Sequence, residues 1–161
     1  MNISNQIILN KDNVDKWREH TPTYQNVIFV AHSFSNSQDN ADSLADIICK
    51  LQARFPDHLF VSGVHAFGML YDQVDYDVGE DMCLWLLERC DQMWVFGEDW
   101  YQSKGIKIEL EYCAARGIPV CFGNPKNNIV ISHRQYFDSE DAIIKNIWDG
   151  RTVSFKEALN G

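Results

Sequence analysis

A serine, a glycine and a glutamate stand in one short stretch of the chain where they could hold an anion beside a carboxylate. Ser103, Lys104 and Gly105 come at the start of a predicted helix, whose free N–H groups and positive dipole end attract phosphate. Glu109 follows six residues after Ser103 and four after Gly105, within reach of whatever the helix start holds. The plainer alternatives are that Ser103 only caps the helix and that Glu109 is one more solvated glutamate.

A second carboxylate precedes that helix. Asp81 is predicted to begin the preceding helix, just before the apolar run of residues 82–87. At such a position an aspartate can simply stabilise the first turn, by about 0.5–1 kcal/mol. Its functional alternative is a second carboxylate opposite Glu109.

Other candidate ligands follow the predicted strands: His32, Ser33 and Ser35 after the first, His65 after the second and Trp100 after the third. Ligands of open parallel sheets bind outside the carboxyl ends of the strands, which favours these positions. Trp100 could stack on a base or lie against a partner subunit. No HExxH motif, phosphate loop or GxGxxG turn is present, so neither a metal site nor triphosphate or dinucleotide chemistry is expected.

The elements that position these residues alternate between strand and helix. Strands are predicted at residues 27–31, 59–61, 93–96 and 118–122, and helices from residue 40 or 42 to 55, at 82–89 and at 106–114. This order predicts an α/β fold, a doubly wound and mainly parallel sheet of the Rossmann-like or flavodoxin-like kind. We expect one domain over residues 1–161.

Four further segments are less regular in pattern. Residues 63–79 predict an irregular connection that could form a lid. Residues 6–9 and 129–132 predict added strands, and residues 141–148 a last helix.

Composition narrows the possible partners. The chain has 161 residues and a formal net charge of −9, which makes nucleic acid a poor partner. Its five cysteines are odd in number, lack CxxC spacing and lie in hydrophobic stretches, which is typical of buried free thiols in a reducing compartment. No leader-like segment or bilayer-spanning apolar run is seen, so a cytoplasmic protein without a membrane partner is expected.

Three blocks of the chain resemble the nucleoside 2-deoxyribosyltransferase-like proteins, which include deoxyribosyltransferases and 5′-monophosphate N-glycosidases. The blocks are residues 27–35, 80–91 and 103–110. The third is the most specific, because Ser103, Gly105 and Glu109 meet the family's Ser-x-Gly-x-x-x-Glu spacing. The resemblance covers about residues 27–122.

The resemblance implies a reaction and a role for each residue. Glu109 would be the nucleophile, Asp81 the acid that assists departure of the base, and Ser33 and Ser103 ligands of a 5′-phosphate. The expected function is N-glycosidic cleavage of a nucleoside 5′-monophosphate or a related nucleotide, without metal or organic cofactor. A homodimer or higher homo-oligomer is also implied. The full predicted binding set is His32, Ser33, Ser35, His65, Trp100, Ser103 and Gly105.

Departures from the family pattern keep other functions open. Phe29 stands where the glycosidase branch has tyrosine, and His32 and Glu111 stand where glycines are usual. One alternative is a non-catalytic nucleotide-binding module, acting as a sensor or a sequestering protein. Another is an assembly protein whose tryptophans serve an interface, although Trp85 and Trp94 are expected to be internal.

Overall fold

The computed structural model describes residues 8–97, 99–124, 129–132, 143–145 and 152–154. Its helices are α1 (Lys11–Glu19), α2 (Gln38–Arg54), α3 (Gly63–Phe67), α4 (Tyr76–Glu88) and α5 (Lys104–Arg116). Its strands are β1 (Asn26–Ala31), β2 (His58–Val61), β3 (Gln92–Val95), β4 (Val120–Asn124), β5 (Ile129–Ser132), β6 (Ile143–Lys145) and β7 (Thr152–Ser154). Short 3-10 turns cover Gly68–Leu70 and Trp100–Gln102.

Five strands form the central sheet, in the order β2-β1-β3-β4-β5. The first four are parallel, and β5 runs antiparallel to β4 at one edge. In register, Phe29 of β1 lies opposite Val61 of β2 and Met93 of β3. The predicted α/β fold with a mainly parallel sheet is therefore confirmed, in a single domain. A separate antiparallel pair joins β6 to β7.

Both faces of the sheet are buried, which explains the unbroken apolar run in β1. Alternate residues of β1 point to opposite faces, so Phe29 packs on one side and Ile28 on the other. The first face is covered by residues of α4 and α5, namely Leu87, Ile106, Leu110 and Cys113. The second is covered by Leu44, Ile47 and Leu51 of α2. Burying one such side chain stabilises the fold by about 1.5–3 kcal/mol.

The segment predicted as an irregular lid is mostly helical. Residues 63–79 form α3, a 3-10 turn and the start of α4. The Ser62 hydroxyl caps α3 by accepting from the His65 N–H at 3.1 Å. Helix α4 begins at Tyr76, so Asp81 lies in its second turn and does not begin it as predicted.

The predictions for the chain ends and for the tryptophans have mixed outcomes. The strand at Ile129–Ser132 is confirmed. Residues 143–145 form a strand, so the helix predicted over 141–148 is wrong there, and its other residues lie outside the described ones. Residues 8 and 9 are not a strand, while 6 and 7 also lie outside the description. Trp94 is internal, but Trp85 is 58% exposed with the Arg89 guanidinium 3.4 Å from its ring centroid.

The cysteines lie mostly inside the fold. Cys90 and Cys113 are buried, Cys83 and Cys121 are half-buried, and all carry free thiols. Cys49 is exposed on α2, contrary to the prediction for it. Among the described residues, no helix has the length and apolar character to cross a membrane.

Candidate active site

A cavity of about 610 Å³ opens beside the carboxyl end of β1. Its walls come from the loop after β1, from α3, from the first turns of α4 and from the start of α5. Six of the nine residues predicted for the site line it: His32, Ser33, Ser35, Ser103, Gly105 and Glu109. The topology thus brings two separate stretches of the chain, the loop after β1 and the start of α5, together at the carboxyl end of β1.

Two carboxyl groups meet inside this cavity, one from each flanking helix. Glu109 of α5 is 8% exposed, and its carboxyl group is hydrogen-bonded to that of Glu80 on α4. Burial, followed by the charge of Glu80 and this hydrogen bond, raises the pKa of Glu109 well above its ordinary range. Burial also raises the pKa of Glu80, while its hydrogen bond to Glu109 and the charge of Lys104 oppose that rise. The two groups therefore hold one proton between them.

The outer oxygens of this carboxyl pair are exceptions to the usual pairing of buried polar atoms. Within the described part of the chain, Glu80 Oε1 and Glu109 Oε2 are buried without a hydrogen-bond partner. Most buried polar atoms in proteins are paired, since leaving one unpaired is unfavourable by about 1–3 kcal/mol. Both residues line the cavity, so these oxygens are acceptors available to a ligand.

Asp81, the residue predicted to face Glu109, lies elsewhere. Successive residues of a helix point about 100° apart, and the start of α4 at Tyr76 places Glu80 in the cavity wall and Asp81 on the exposed surface. The carboxyl group beside Glu109 is thus that of Glu80, which the sequence analysis did not select. A signal was present, because Tyr76, Glu80 and Cys83 follow at steps of four and three along one helix face.

Gly105 makes room for the groups around the carboxyl pair. A Cβ at Gly105 would lie 3.2 Å from the Tyr76 hydroxyl oxygen and 3.3 Å from Glu80 Oε2. Burial and the charges of Glu80 and Glu109 raise the pKa of Tyr76 to about 12, so its hydroxyl remains protonated. Lys104 Nζ lies 4.6 Å from the centroid of the Tyr76 ring.

Ser33, Asp99 and His32 form a second polar group in the cavity wall. Ser33 is 6% exposed, and its hydroxyl donates to Asp99 Oδ1 at 3.3 Å. His32 Nδ1 lies 2.7 Å from the carbonyl oxygen of Ser33. A carbonyl oxygen only accepts, so Nδ1 carries the proton of that contact. Beyond them, Ser35 has a positive φ of 49° in the loop that closes this side.

Ser103 has the plainer role that its position suggested. Its hydroxyl oxygen caps α5 by accepting from the Ile106 N–H at 3.3 Å. The hydroxyl proton is not used by that bond, so Ser103 can still donate to a ligand.

Besides Asp81, two predicted residues are not in the cavity wall. His65 is exposed on α3, where its Nδ1 contacts the Ser62 hydroxyl at 2.8 Å. Trp100 is 2% exposed and packs on Phe122 with ring centroids 4.9 Å apart, so it belongs to the core and cannot stack on a base. The described residues also contain no cluster of histidine, cysteine or acidic side chains able to hold a metal ion.

Comparisons with protein-family models, with curated proteins and with solved structures found no match. A carboxyl pair that shares one proton offers an ionised and a protonated group side by side, which suits a reaction that needs a nucleophile and an acid.

Proposed function

We propose that this chain is an N-glycosidase of the nucleoside 2-deoxyribosyltransferase-like kind. It would cleave the bond between base and sugar in a nucleoside 5′-monophosphate or in a related nucleotide or nucleoside. The observation that carries the proposal is the buried, hydrogen-bonded pair of Glu80 and Glu109 in a cavity of ligand size. Clefts that hold carboxyl groups with strongly shifted pKa values are typical of active sites.

In this proposal Glu109 and Glu80 divide the chemistry. When the sugar binds, the shared proton passes from Glu109 to Glu80. The ionised Glu109 carboxylate then attacks the anomeric carbon, forming a carbon–oxygen bond while the bond from that carbon to the base nitrogen breaks. The protonated Glu80 gives its proton to the departing base. Water then attacks the same carbon, passes a proton to Glu80 and releases Glu109. Binding of the sugar would replace the contact that the two carboxyl groups make with each other.

The rest of the cavity can accommodate the other parts of such a substrate. The rings of Phe34, Phe67 and Tyr71 line it, and flat aromatic walls suit a nucleobase. Ser103 and the amino end of α5, where Gly105 lies next to Glu80, can donate to a polar group on the sugar.

A binding module without catalysis is the second candidate, and one observation favours it. Burial raises the pKa of Glu109 well above its ordinary range, and a protonated carboxyl group is not a nucleophile. A protein with such a site could bind a nucleotide and leave its glycosidic bond intact.

Base release distinguishes the two candidates. Purified protein is incubated with ribo- and deoxyribonucleosides and with their 5′-monophosphates, and free base is followed by chromatography. We expect release by the wild type, and a loss of about 10²–10⁴-fold in Glu80→Gln and at least as much in Glu109→Gln. Glu111→Gln changes an exposed glutamate of the same helix and should retain the activity.

The outcomes separate cleanly. Equal release by Glu109→Gln and the wild type would contradict the assigned nucleophile. No release from any compound, together with thermal stabilisation by one of them, would replace the glycosidase with the binding module.

We also propose that the chain forms a homodimer or a higher homo-oligomer. Trp85 and Val78 are exposed by 58% and 49% on α4, and exposed aromatic surface is favoured at interfaces. Light scattering coupled to size exclusion tests this directly, and a monomer at micromolar concentration would contradict it.

A further inference from the structure

Lys104 lies beside one carboxyl group of the buried pair. It is the first residue of α5 and the one lysine or arginine among the described residues that line the cavity. Its Nζ lies 4.6 Å from the centroid of the Tyr76 ring, and Tyr76 and Glu80 are one turn apart on α4. A Cβ at the next residue of α5, Gly105, would lie 3.3 Å from Glu80 Oε2. Lys104 and Glu80 are therefore neighbours across the gap between the two helices.

Glu109 is deeper in the fold than Lys104. It lies about 7.5 Å farther along the axis of α5 and is 8% exposed, whereas Lys104 is exposed. Burial raises the pKa of Glu80, but its hydrogen bond to Glu109 and the charge of Lys104 lower that pKa. For Glu109, burial, the charge of Glu80 and the hydrogen bond all raise the pKa. The surroundings thus favour an ionised Glu80 and a protonated Glu109.

We infer that Lys104 determines where the shared proton rests, keeping it on Glu109 until a ligand separates the two carboxyl groups. In the free protein Glu80 is then the anion and Glu109 the acid, which is the reverse of what the glycosidase needs. Passing to the active form moves one proton from a Glu109 oxygen to a Glu80 oxygen and leaves the net charge unchanged. Lys104 is a positioning residue for that proton. The resting place of the proton depends on the site alone, and its consequence for cleavage rests on the proposed function.

The other titratable groups beside the pair do not supply this bias. Tyr76 and Cys83 approach it from α4, and Cys113 lies near Glu109 on α5. Burial, and after it the charge of the carboxyl pair, raises the pKa of each to about 12, so all three are uncharged near neutral pH. Strand β1 and helix α3 contribute Phe29 and Gly63 to this part of the wall, and neither titrates.

The remaining titratable residues of the cavity wall are Tyr71, Asp75, Asp99 and His32. A phenol or an aspartate carries no positive charge that could favour an ionised carboxylate. His32 lies by Asp99 at the end of β3, because a Cβ at Gly97 would be 3.4 Å from His32 Nε2 and 3.7 Å from Asp99 Oδ1. Lys104 is therefore the cation that acts on Glu80.

The selectivity of Lys104 for Glu80 can be measured without any reaction. Glutamate labelled with ¹³C at its side-chain carboxyl carbon reports ionisation by NMR, in Glu109→Gln for Glu80 and in Glu80→Gln for Glu109. Adding Lys104→Met removes the charge and should lower the ionisation constant of Glu80 by about threefold to tenfold. It should change that of Glu109 by less than about twofold. In the wild type, the Glu109 signal should be the protonated one while the pair holds one proton.

Two further variants and salt complete this measurement. Lys107→Met removes the same charge from the same helix outside the cavity wall and should leave Glu80 unchanged. Lys104→Arg keeps the charge and should preserve the wild-type titration. Because Lys104 is exposed, the effect of Lys104→Met should shrink in about 1 M salt.

The pH profile of base release should show the same bias. At low pH both carboxyl groups are protonated, so Lys104 has no anion to stabilise and Lys104→Met should leave kcat/KM unchanged. At the optimum and above it, loss of the charge makes protonated Glu80 with ionised Glu109 more frequent, so kcat/KM should rise by about threefold to tenfold. A merely structural role would instead lower kcat/KM by the same factor at every pH.

The outcomes distinguish Lys104 from the glycosidase. Equal changes at Glu80 in Lys104→Met and Lys107→Met, or a larger change at Glu109 than at Glu80, would overturn the role of Lys104. A uniformly lowered kcat/KM would overturn it as well. The expected change at Glu80 without base release from any compound would support Lys104 and reject the glycosidase. Base release with an unchanged Glu80 titration would reject Lys104 and keep the glycosidase.

Discussion

The position of an acidic residue on α4 decides whether its carboxyl group lies beside Glu109 or on the surface. A glutamate at position 80 lies in the cavity, and the aspartate at position 81 lies on the surface. Placed together in a buried space, two carboxyl groups cannot both ionise easily, so the pair keeps a proton at a pH where either acid alone would lose it. This shared proton has a consequence for stability as well as for chemistry.

The pH dependence of unfolding should report the buried carboxyl group. Because the pKa of Glu109 is raised in the folded protein, its contribution to the free energy of unfolding is complete below the ordinary value of 4.5. That contribution is lost as the pH rises through the raised value. Glu109→Gln cannot ionise, so its melting temperature should exceed that of the wild type increasingly from pH 5 to pH 8, by an amount equivalent to about 1–3 kcal/mol.

Glu111→Gln is the control for this measurement, as it lies exposed on the same helix. Its melting temperature should follow the wild type throughout. Parallel curves for Glu109→Gln and the wild type would mean that Glu109 ionises as easily in the folded as in the unfolded chain.

Among the elements, α5 contributes most to the site, and its amino end does two things. Ser103 caps the helix, and the same residue faces the cavity. Helix α2 offers a matched case without the cavity contact, because Ser37 caps it by accepting from the Asn40 N–H at 3.3 Å. Because the two capping bonds have equal lengths, the two serines can be compared. Removing either hydroxyl removes a helix cap, but only the Ser103 hydroxyl also faces the cavity.

Ser103→Ala and Ser37→Ala should lower the free energy of unfolding to a similar extent, by about 0.5–2 kcal/mol each. Only Ser103→Ala should also weaken the stabilisation that a bound nucleoside gives, since Ser37 is not in the cavity wall. Thermal melts with and without ligand measure both effects. Equal ligand-induced stabilisation in the two variants would show that Ser103 only caps the helix.

Much of this architecture could be predicted from the sequence. The four parallel strands, α2 and α5 carry runs or stripes of apolar residues, so periodicity identifies them. The start of α4 has a mixed pattern of tyrosine, acids and glycine, so the apolar pattern predicts its first residue at Met82, six residues after its true start at Tyr76. Helix α1 has only two apolar residues, Val14 and Trp17, which are too few to form a stripe along the helix.

The site residues that lie on a single element could be predicted from the sequence. Ser103, Gly105 and Glu109 share α5, so their spacing along the sequence is also their spacing in the fold. The partner of Glu109 comes from another helix, and its identity depends on where that helix begins. Asp99 was not selected either, because its contact with Ser33 joins residues 66 positions apart.

At the scale of the whole molecule, helices cover both faces of the central sheet, and the candidate active site lies at the carboxyl end of β1. The formal net charge of −9 gives the molecule an average field that repels anions. The same double cover encloses most of the thiols. Burial raises the pKa of Cys83 and Cys113 to about 12 and that of Cys90 to about 11.

The thiol of Cys49 should therefore be far more reactive than the other four. At pH 8 a disulfide reagent should modify one thiol of the native protein rapidly and all five after denaturation, because Cys49 is the exposed one. Absorbance of the released reagent counts them. Cys49→Ser should abolish the rapid phase, whereas Cys113→Ser should leave it intact. Two or more rapid thiols in the native state would contradict the burial of the others.

Gly123 lies outside the cavity, yet a side chain at this position would disturb a residue that is hydrogen-bonded to the strand end beside the cavity. Any Cβ there would overlap the ring of Phe96. The Phe96 N–H donates to the Ala31 carbonyl oxygen at 3.0 Å, at the last residue of β1 and just before the loop with Ser33. In a saturation library selected for activity, position 123 would be depleted of every side chain, much as position 109 would be. Invariance of Gly123 in such a library would result from packing against Phe96. Judged from sequence constraint alone, it would be mistaken for a catalytic role.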